Sequence, residues 1–110
     1  MISSAADTKR YAGLKLKAWV LFAGATGTIS SSFNITSVTR TTGGTYTVVF
    51  TTPMNSAVHV VDGDFLVNGY QELTHGILAT LGTTQDIIKT QTGNSTIPAD
   101  FAAVYLAFYE

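Results

Sequence analysis

Apolar and polar residues alternate with a period of two along most of this chain, which is the pattern of strands rather than helices. In the first such segment Leu14, Leu16, Ala18, Val20 and Phe22 share one face, and Lys15, Lys17, Trp19 and Leu21 share the other. The second half of that strand is apolar on both faces, so Trp19 and Leu21 are expected under a second layer or against another chain. A turn-rich gap, Ala23-Gly24-Ala25-Thr26-Gly27, leads into Thr28–Thr39, where Ile29, Phe33 and Ile35 keep one parity and Val38 breaks it. A bulge or bend between Ile35 and Val38 is therefore expected. Arg40-Thr41-Thr42-Gly43-Gly44 reads as a hairpin connection, after which Tyr46, Val48 and Phe50 alternate with Thr45, Thr47, Val49 and Thr51.

Thr52-Pro53 stops this ladder, because proline donates no hydrogen bond, and Ala57–Val61 reads as a short strand closed by an Asp62-Gly63-Asp64 turn. The stretch from Phe65 to Gln85 is compatible with strands or loops, with a turn expected at Asn68-Gly69. Asp86–Thr92 alternates again and ends in Gly93-Asn94-Ser95. Ala103–Tyr109 is apolar on both sides and is expected to be a central strand. No capped helical period is present, so the pattern predicts an all-β chain, a small antiparallel β-sandwich of several short strands, as one domain over 14–110. Met1–Gly13 is small, polar and charged, and reads as an arm or connector.

Composition sharpens this picture in one respect. Only 12% of the 110 residues are charged, about half the usual share for a soluble domain. Eighteen threonines and eight serines cover part of the surface; the remainder is either the weakly charged skin of a monomer or surface buried on identical copies. The formal net charge of -1 gives no electrostatic footprint for nucleic acid or for an anionic membrane. With no cysteine, thiolate metal sites, disulfides and a cysteine nucleophile are excluded. The polar run 1–11 has no apolar signal core, and the longest apolar stretch, Ala18 to Ala23, is too short to span a bilayer, so no membrane insertion is expected.

Candidate chemistry is sparse. His59 near Asp62 and Asp64 raises a metal or general-base role, but strand parity sends His59 and Asp62 to opposite faces, which favours a strand histidine facing polar neighbours. Asp62-Gly63-Asp64 lacks the further oxygen ligands of a calcium loop. His75 with Glu72 reads as a solvated loop pair before it reads as an acid–base couple. No nucleophile elbow, phosphate-binding loop or dinucleotide fingerprint is present, so no enzyme and no cofactor are expected. Trp19, Tyr46, Tyr70, Tyr105 and Tyr109 are candidate stacking platforms for sugar rings. Of these, Trp19 and Tyr105 fit core or interface better, and Tyr70 is the one expected to be exposed.

Three segments together resemble a known family. Lys17-Ala18-Trp19-Val20-Leu21-Phe22-Ala23-Gly24, Ser32-Phe33-Asn34-Ile35-Thr36-Ser37-Val38-Thr39 and Gly44-Thr45-Tyr46-Thr47-Val48-Val49-Phe50-Thr51-Thr52-Pro53-Met54 are similar to a pattern of the C-terminal domains of bacteriophage tail fibres and related virion proteins. The resemblance implies a β-sandwich assembled as a homotrimer at the distal end of a fibre, a non-enzymatic adhesin acting outside the host cell. Its loops would recognise a bacterial surface polysaccharide, lipopolysaccharide or outer-membrane protein, and residues 1–13 would join the fibre shaft. Leu21 departs from the pattern, being often polar there, and Phe65 to Gln85 has no counterpart in it. Trp19, Phe33, Tyr46, Val48 and Phe50 read as core and interface residues. Receptor contacts are therefore expected from the turns, with Arg40, Asp64, Tyr70 and Asn94 as the contact residues. The alternatives are a structural trimerisation or capping module of the virion and a glycan-degrading tailspike-type domain.

Overall fold

A computed structural model describes residues 14–67, 70–72, 75–92 and 99–110, with the side chains of 67, 70–72, 75, 76 and 92 left aside. Nine strands are described, β1 (Leu16–Phe22), β2 (Ile29–Phe33), β3 (Ile35–Thr42), β4 (Thr45–Phe50), β5 (Val60–Val67), β6 (Tyr70–Glu72), β7 (His75–Thr80), β8 (Gln85–Thr92) and β9 (Ala103–Tyr109). They form two antiparallel sheets, a five-stranded one in the order β2-β1-β9-β5-β6 and a four-stranded one in the order β3-β4-β8-β7. The expectation of an all-β sandwich is met. So is the central place of Ala103–Tyr109, which pairs with β1 on one side and β5 on the other.

The core fills the space between the sheets. Ala18, Val20, Phe22, Phe65, Val104, Leu106 and Phe108 project from the five-stranded sheet against Ile35, Tyr46, Val48, Phe50 and Ile88 of the other. The aromatic residues interlock edge to face across the layer, Phe22 on Tyr46 with ring centroids 4.9 Å apart and Phe50 on Phe108 at 5.1 Å, the arrangement their ring quadrupoles favour. Each strand alternates as its sequence directs. In β1 and β4 every second residue from Ala18 and Tyr46 is buried.

The chain changes sheets at Asn34. Phe33 pairs with Trp19 in the first sheet and Ile35 pairs with Phe50 in the second, and between them Asn34 adopts φ 58°, a left-handed conformation that asparagine tolerates better than most residues. Its side chain staples the corner: Oδ1 accepts from the Thr52 N–H at 2.7 Å, and Nδ2 donates to the carbonyls of Lys17 and Thr52, each at 3.1 Å. The irregularity expected between Ile35 and Val38 is present as a register shift between Ile35 and Ser37. The sharper break at Asn34 lies just before it.

Two local readings are corrected. Asp62-Gly63-Asp64 is not a turn, because β5 runs straight through it and pairs residue by residue with β9. Asp62 and Asp64 take the solvent side, while Gly63 faces inward where Ile77 and Leu106 press on the strand; a Cβ there would lie 2.7 Å from Ile77 Cδ1 and 2.8 Å from the Tyr105 carbonyl oxygen. Glycine thus serves close packing here rather than chain reversal. Secondly, the hairpin after β3 reverses at Gly43-Gly44, with Gly44 at φ 70°, and Arg40 lies within β3, paired with Tyr46. The stretch between Phe65 and Gln85, open between strand and loop in sequence, holds β6 and β7 and the end of β5.

Candidate functional site

The outer face of the five-stranded sheet is where this molecule departs from an ordinary soluble surface. The β1–β2 and β1–β9 registers place Phe33, Trp19 and Ala107 in one row, and the β9–β5 register extends it to Asp62. The neighbouring row runs Ser31, Leu21, Tyr105, Asp64. Phe33 is 54% exposed, Leu66 42% and Tyr105 37%, with Trp19 and Leu21 half-buried beside them. The Trp19 and Tyr105 rings stand 6.4 Å apart at a 34° tilt. Between Leu21, Tyr105, Ala103, Leu66 and Asp64 lies a shallow depression of about 170 Å³. Partial burial pushes the Tyr105 hydroxyl above its usual pKa, and the nearby negative charges of Asp62 and Asp64 add to this. The face is a contiguous apolar stripe with acidic residues along one flank, the character of an interaction surface.

A second cluster joins the ends of the four-stranded sheet. Asp100, in the segment before β9, receives the Arg40 guanidinium on both oxygens, Nη2 to Oδ2 at 2.8 Å and Nε to Oδ1 at 3.1 Å. Oδ1 also accepts the Gly44 N–H at 2.8 Å. The Tyr46 hydroxyl donates to the Gly24 carbonyl at 2.6 Å and stands 3.2 Å from the same carboxylate oxygen. The Arg40 hydrogen bonds hold the Asp100 carboxyl below its ordinary pKa, and burial, with the Asp100 charge adding to it, pushes Tyr46 up to about 12.

The third cluster is buried. His59, immediately before β5, places Nε2 2.7 Å from Asp86 Oδ2, and neither side chain is exposed. The Ser56 carbonyl can only accept, so Nδ1 donates to it, at 3.0 Å. Asp86 Oδ1 accepts the Gly82 N–H at 3.0 Å, and the edge of the ring meets Phe50, with centroids 5.9 Å apart. A histidine beside a carboxylate is the base half of many hydrolytic sites, but such a base needs a ring nitrogen turned to substrate. Both nitrogens of His59 are engaged and enclosed, so the pair clasps the 56–59 segment to the β7–β8 turn.

Of the residues singled out in sequence, Asp64 lies on the apolar outer face and Arg40 belongs to the Asp100 cluster, so the two are on different sheets. Tyr70 is on β6 at the edge of the five-stranded sheet, its backbone opposite Val67. Asn94 and the turns at 68–69 and 93–95 lie outside the described residues, as does the arm 1–13. Glu72 and His75 are strand residues of different sheets rather than a loop pair. His59 does not join Asp62 and Asp64, and among the described residues no three His, Cys, Asp or Glu side chains converge as a metal site. His59 is not a strand histidine, because the strand expected over Ala57–Val61 begins only at Val60, and the polar neighbour it faces, Asp86, is 27 residues away and carries no local signal.

Among the described residues no helix is long and apolar enough to cross a membrane. Comparison with family models, with curated proteins and with solved structures finds no match to this chain.

Proposed function

We propose that this chain is the distal domain of a bacteriophage tail fibre, a non-enzymatic homotrimeric adhesin that recognises a bacterial surface polysaccharide, lipopolysaccharide or outer-membrane protein. The observation that carries the proposal is the apolar outer face of β2, β1 and β9, where Phe33, Trp19, Leu21 and Tyr105 stay accessible although the opposite side of the same sheet is a complete core. A monomer seldom maintains such a stripe in water, whereas a subunit of a fibre buries it on its copies. The three segments that resemble the tail-fibre pattern supply the rest of the reading: Tyr46, Val48 and Phe50 are core, and Trp19 and Phe33 lie on the outer face.

Three linked copies presenting weak receptor contacts gain avidity on the order of a hundredfold or more when they engage one cell surface together. Of the proposed contact residues, Tyr70, on the edge strand β6, is kept as the receptor contact, whereas Asp64 belongs to the outer face that the copies would cover. Arg40 is tied to Asp100, and a receptor would have to compete with a bidentate pair. This engagement of Arg40 favours, as the second reading, a trimerising or capping module of the virion that does not touch the host.

The experiment is adsorption. Labelled intact chain is expected to bind a subset of bacterial strains and to block phage adsorption to them, with Tyr70→Ala weakening both effects. A trimer that binds none of a broad strain panel overturns the adhesin and leaves the structural module. Release of reducing ends from host polysaccharide by the chain would instead make it an enzyme.

A further inference from the structure

The charges of the outer face are segregated across its apolar stripe. Lys17 stands on the β1–β2 flank, where it lines a cleft of about 400 Å³ with Phe33, Asn34, Thr51 and Thr52. Asp62 and Asp64 stand on the β5 flank, across β9 from β1. Asp62 shares its row with Ala107 and Trp19, and Lys17 lies two residues before Trp19, roughly 7 Å along the strand, within reach of a lysine side chain; Asp64, in the row of Leu21, lies about 14 Å along it and acts on Lys17 only through the longer-range field. We propose that this face packs head to tail against further copies of the chain, the Lys17 flank of one copy meeting the Asp62 and Asp64 flank of the next.

The inference rests on the trimer reading and adds the surface and the orientation. In a cyclic assembly whose axis runs along the strands, the left flank of each copy meets the right flank of its neighbour at one height. That operation brings lysine to aspartate around the ring. An arrangement joining two β5 flanks would set four carboxylates together with no cation between them, so the same charges disfavour it. The stripe between the flanks supplies the apolar area and the flanks supply the register. A chain with 12% charged residues that sets Lys17 on one flank of an apolar stripe and Asp62 and Asp64 on the other gives those charges a role in orientation.

The test is a charge-reversal cycle on the full chain, read by light scattering and by the emission of Trp19, the sole tryptophan, with circular dichroism reporting the fold. The unaltered chain is expected at three times 11.7 kDa with blue-shifted emission. Lys17→Glu, and Asp62→Lys with Asp64→Lys, are each expected to weaken assembly by roughly tenfold or more, and the combination of all three to restore it. The chain has no cysteine, so Lys17→Cys with Asp62→Cys gives an independent arm: a bismaleimide long enough to span the strand offset, which is too wide for a direct disulfide, links copies into covalent oligomers only when both cysteines are present. A trimer indifferent to charge reversal, with no cross-link, overturns this surface and leaves the trimer standing. A monomer at every concentration overturns both, and a monomer whose Trp19 emission shifts on adding lipopolysaccharide makes the face a glycan platform instead.

Discussion

His59 and Asp86, 27 residues apart, meet through a 2.7 Å hydrogen bond between two side chains that solvent does not reach. Removing one partner strands the other in the core, a loss of about 3–5 kcal/mol. Asp86→Ala and His59→Ala are each expected to lower the urea midpoint by that equivalent. The double variant is expected to lose clearly less than the sum, because neither orphan then remains. Strict additivity would show that the two side chains do not act as a pair.

The Asp100 cluster makes stability depend on pH at both ends. The Asp100 pKa is depressed by Arg40, so the stabilisation it provides is present above the carboxyl's unfolded pKa and is lost as pH falls through the lower folded value. The urea midpoint is therefore expected to hold near neutrality and to fall below about pH 4, less steeply in Asp100→Asn. At the alkaline end the reverse sign applies. Tyr46 has its pKa raised to about 12, so its contribution is complete below the ordinary tyrosine value near 10 and is lost as pH climbs toward the folded value. Tyrosinate absorbance is expected to show a late step, with unfolding, to which Tyr46 contributes, and Tyr46→Phe is expected to reduce it.

Gly24 and Gly43 form a contrasting pair. A Cβ on Gly24 would overlap the Phe101 backbone, whereas one on Gly43 would meet only the Arg40 side chain at 3.6 Å, an ordinary contact. Gly24→Ala is expected to cost about 3 kcal/mol, since backbone cannot move aside as a side-chain tip can. Gly43→Ala is expected to stay within about 0.5 kcal/mol. Thermal unfolding of the two variants side by side checks both.

Asn34 combines a conformational and a hydrogen-bonding role, and two substitutions separate them. Asn34→Gly keeps access to φ 58° but removes the bonds to Lys17 and Thr52, an expected loss of about 1–2 kcal/mol. Asn34→Ala loses those bonds and adds the strain of a left-handed residue, about 1 kcal/mol more. Equal stabilities for the two variants would remove the conformational role.

Local order is legible in the residue pattern. Period-two alternation placed β1, β4 and β9 and divided each into its two faces, because a strand's two sides are set by parity alone, and paired glycines marked the reversal between β3 and β4. The two-sided apolar character of Trp19 and Leu21 was legible for the same reason, and with it the outer face. Which distant residues those faces bring together emerges only from the packing of the two sheets. Asp62-Gly63-Asp64 has the composition of a turn, yet pairing along the whole of β9 and the approach of Ile77 at Gly63 outweigh that local preference. Arg40 reads as a free turn cation until Asp100, 60 residues on, meets it. Asp86 reads as the first polar residue of a strand until His59 covers it. Charge pairing acts through space between segments that carry no shared period, so parity fixes the direction of a side chain and only the packed sandwich supplies its partner.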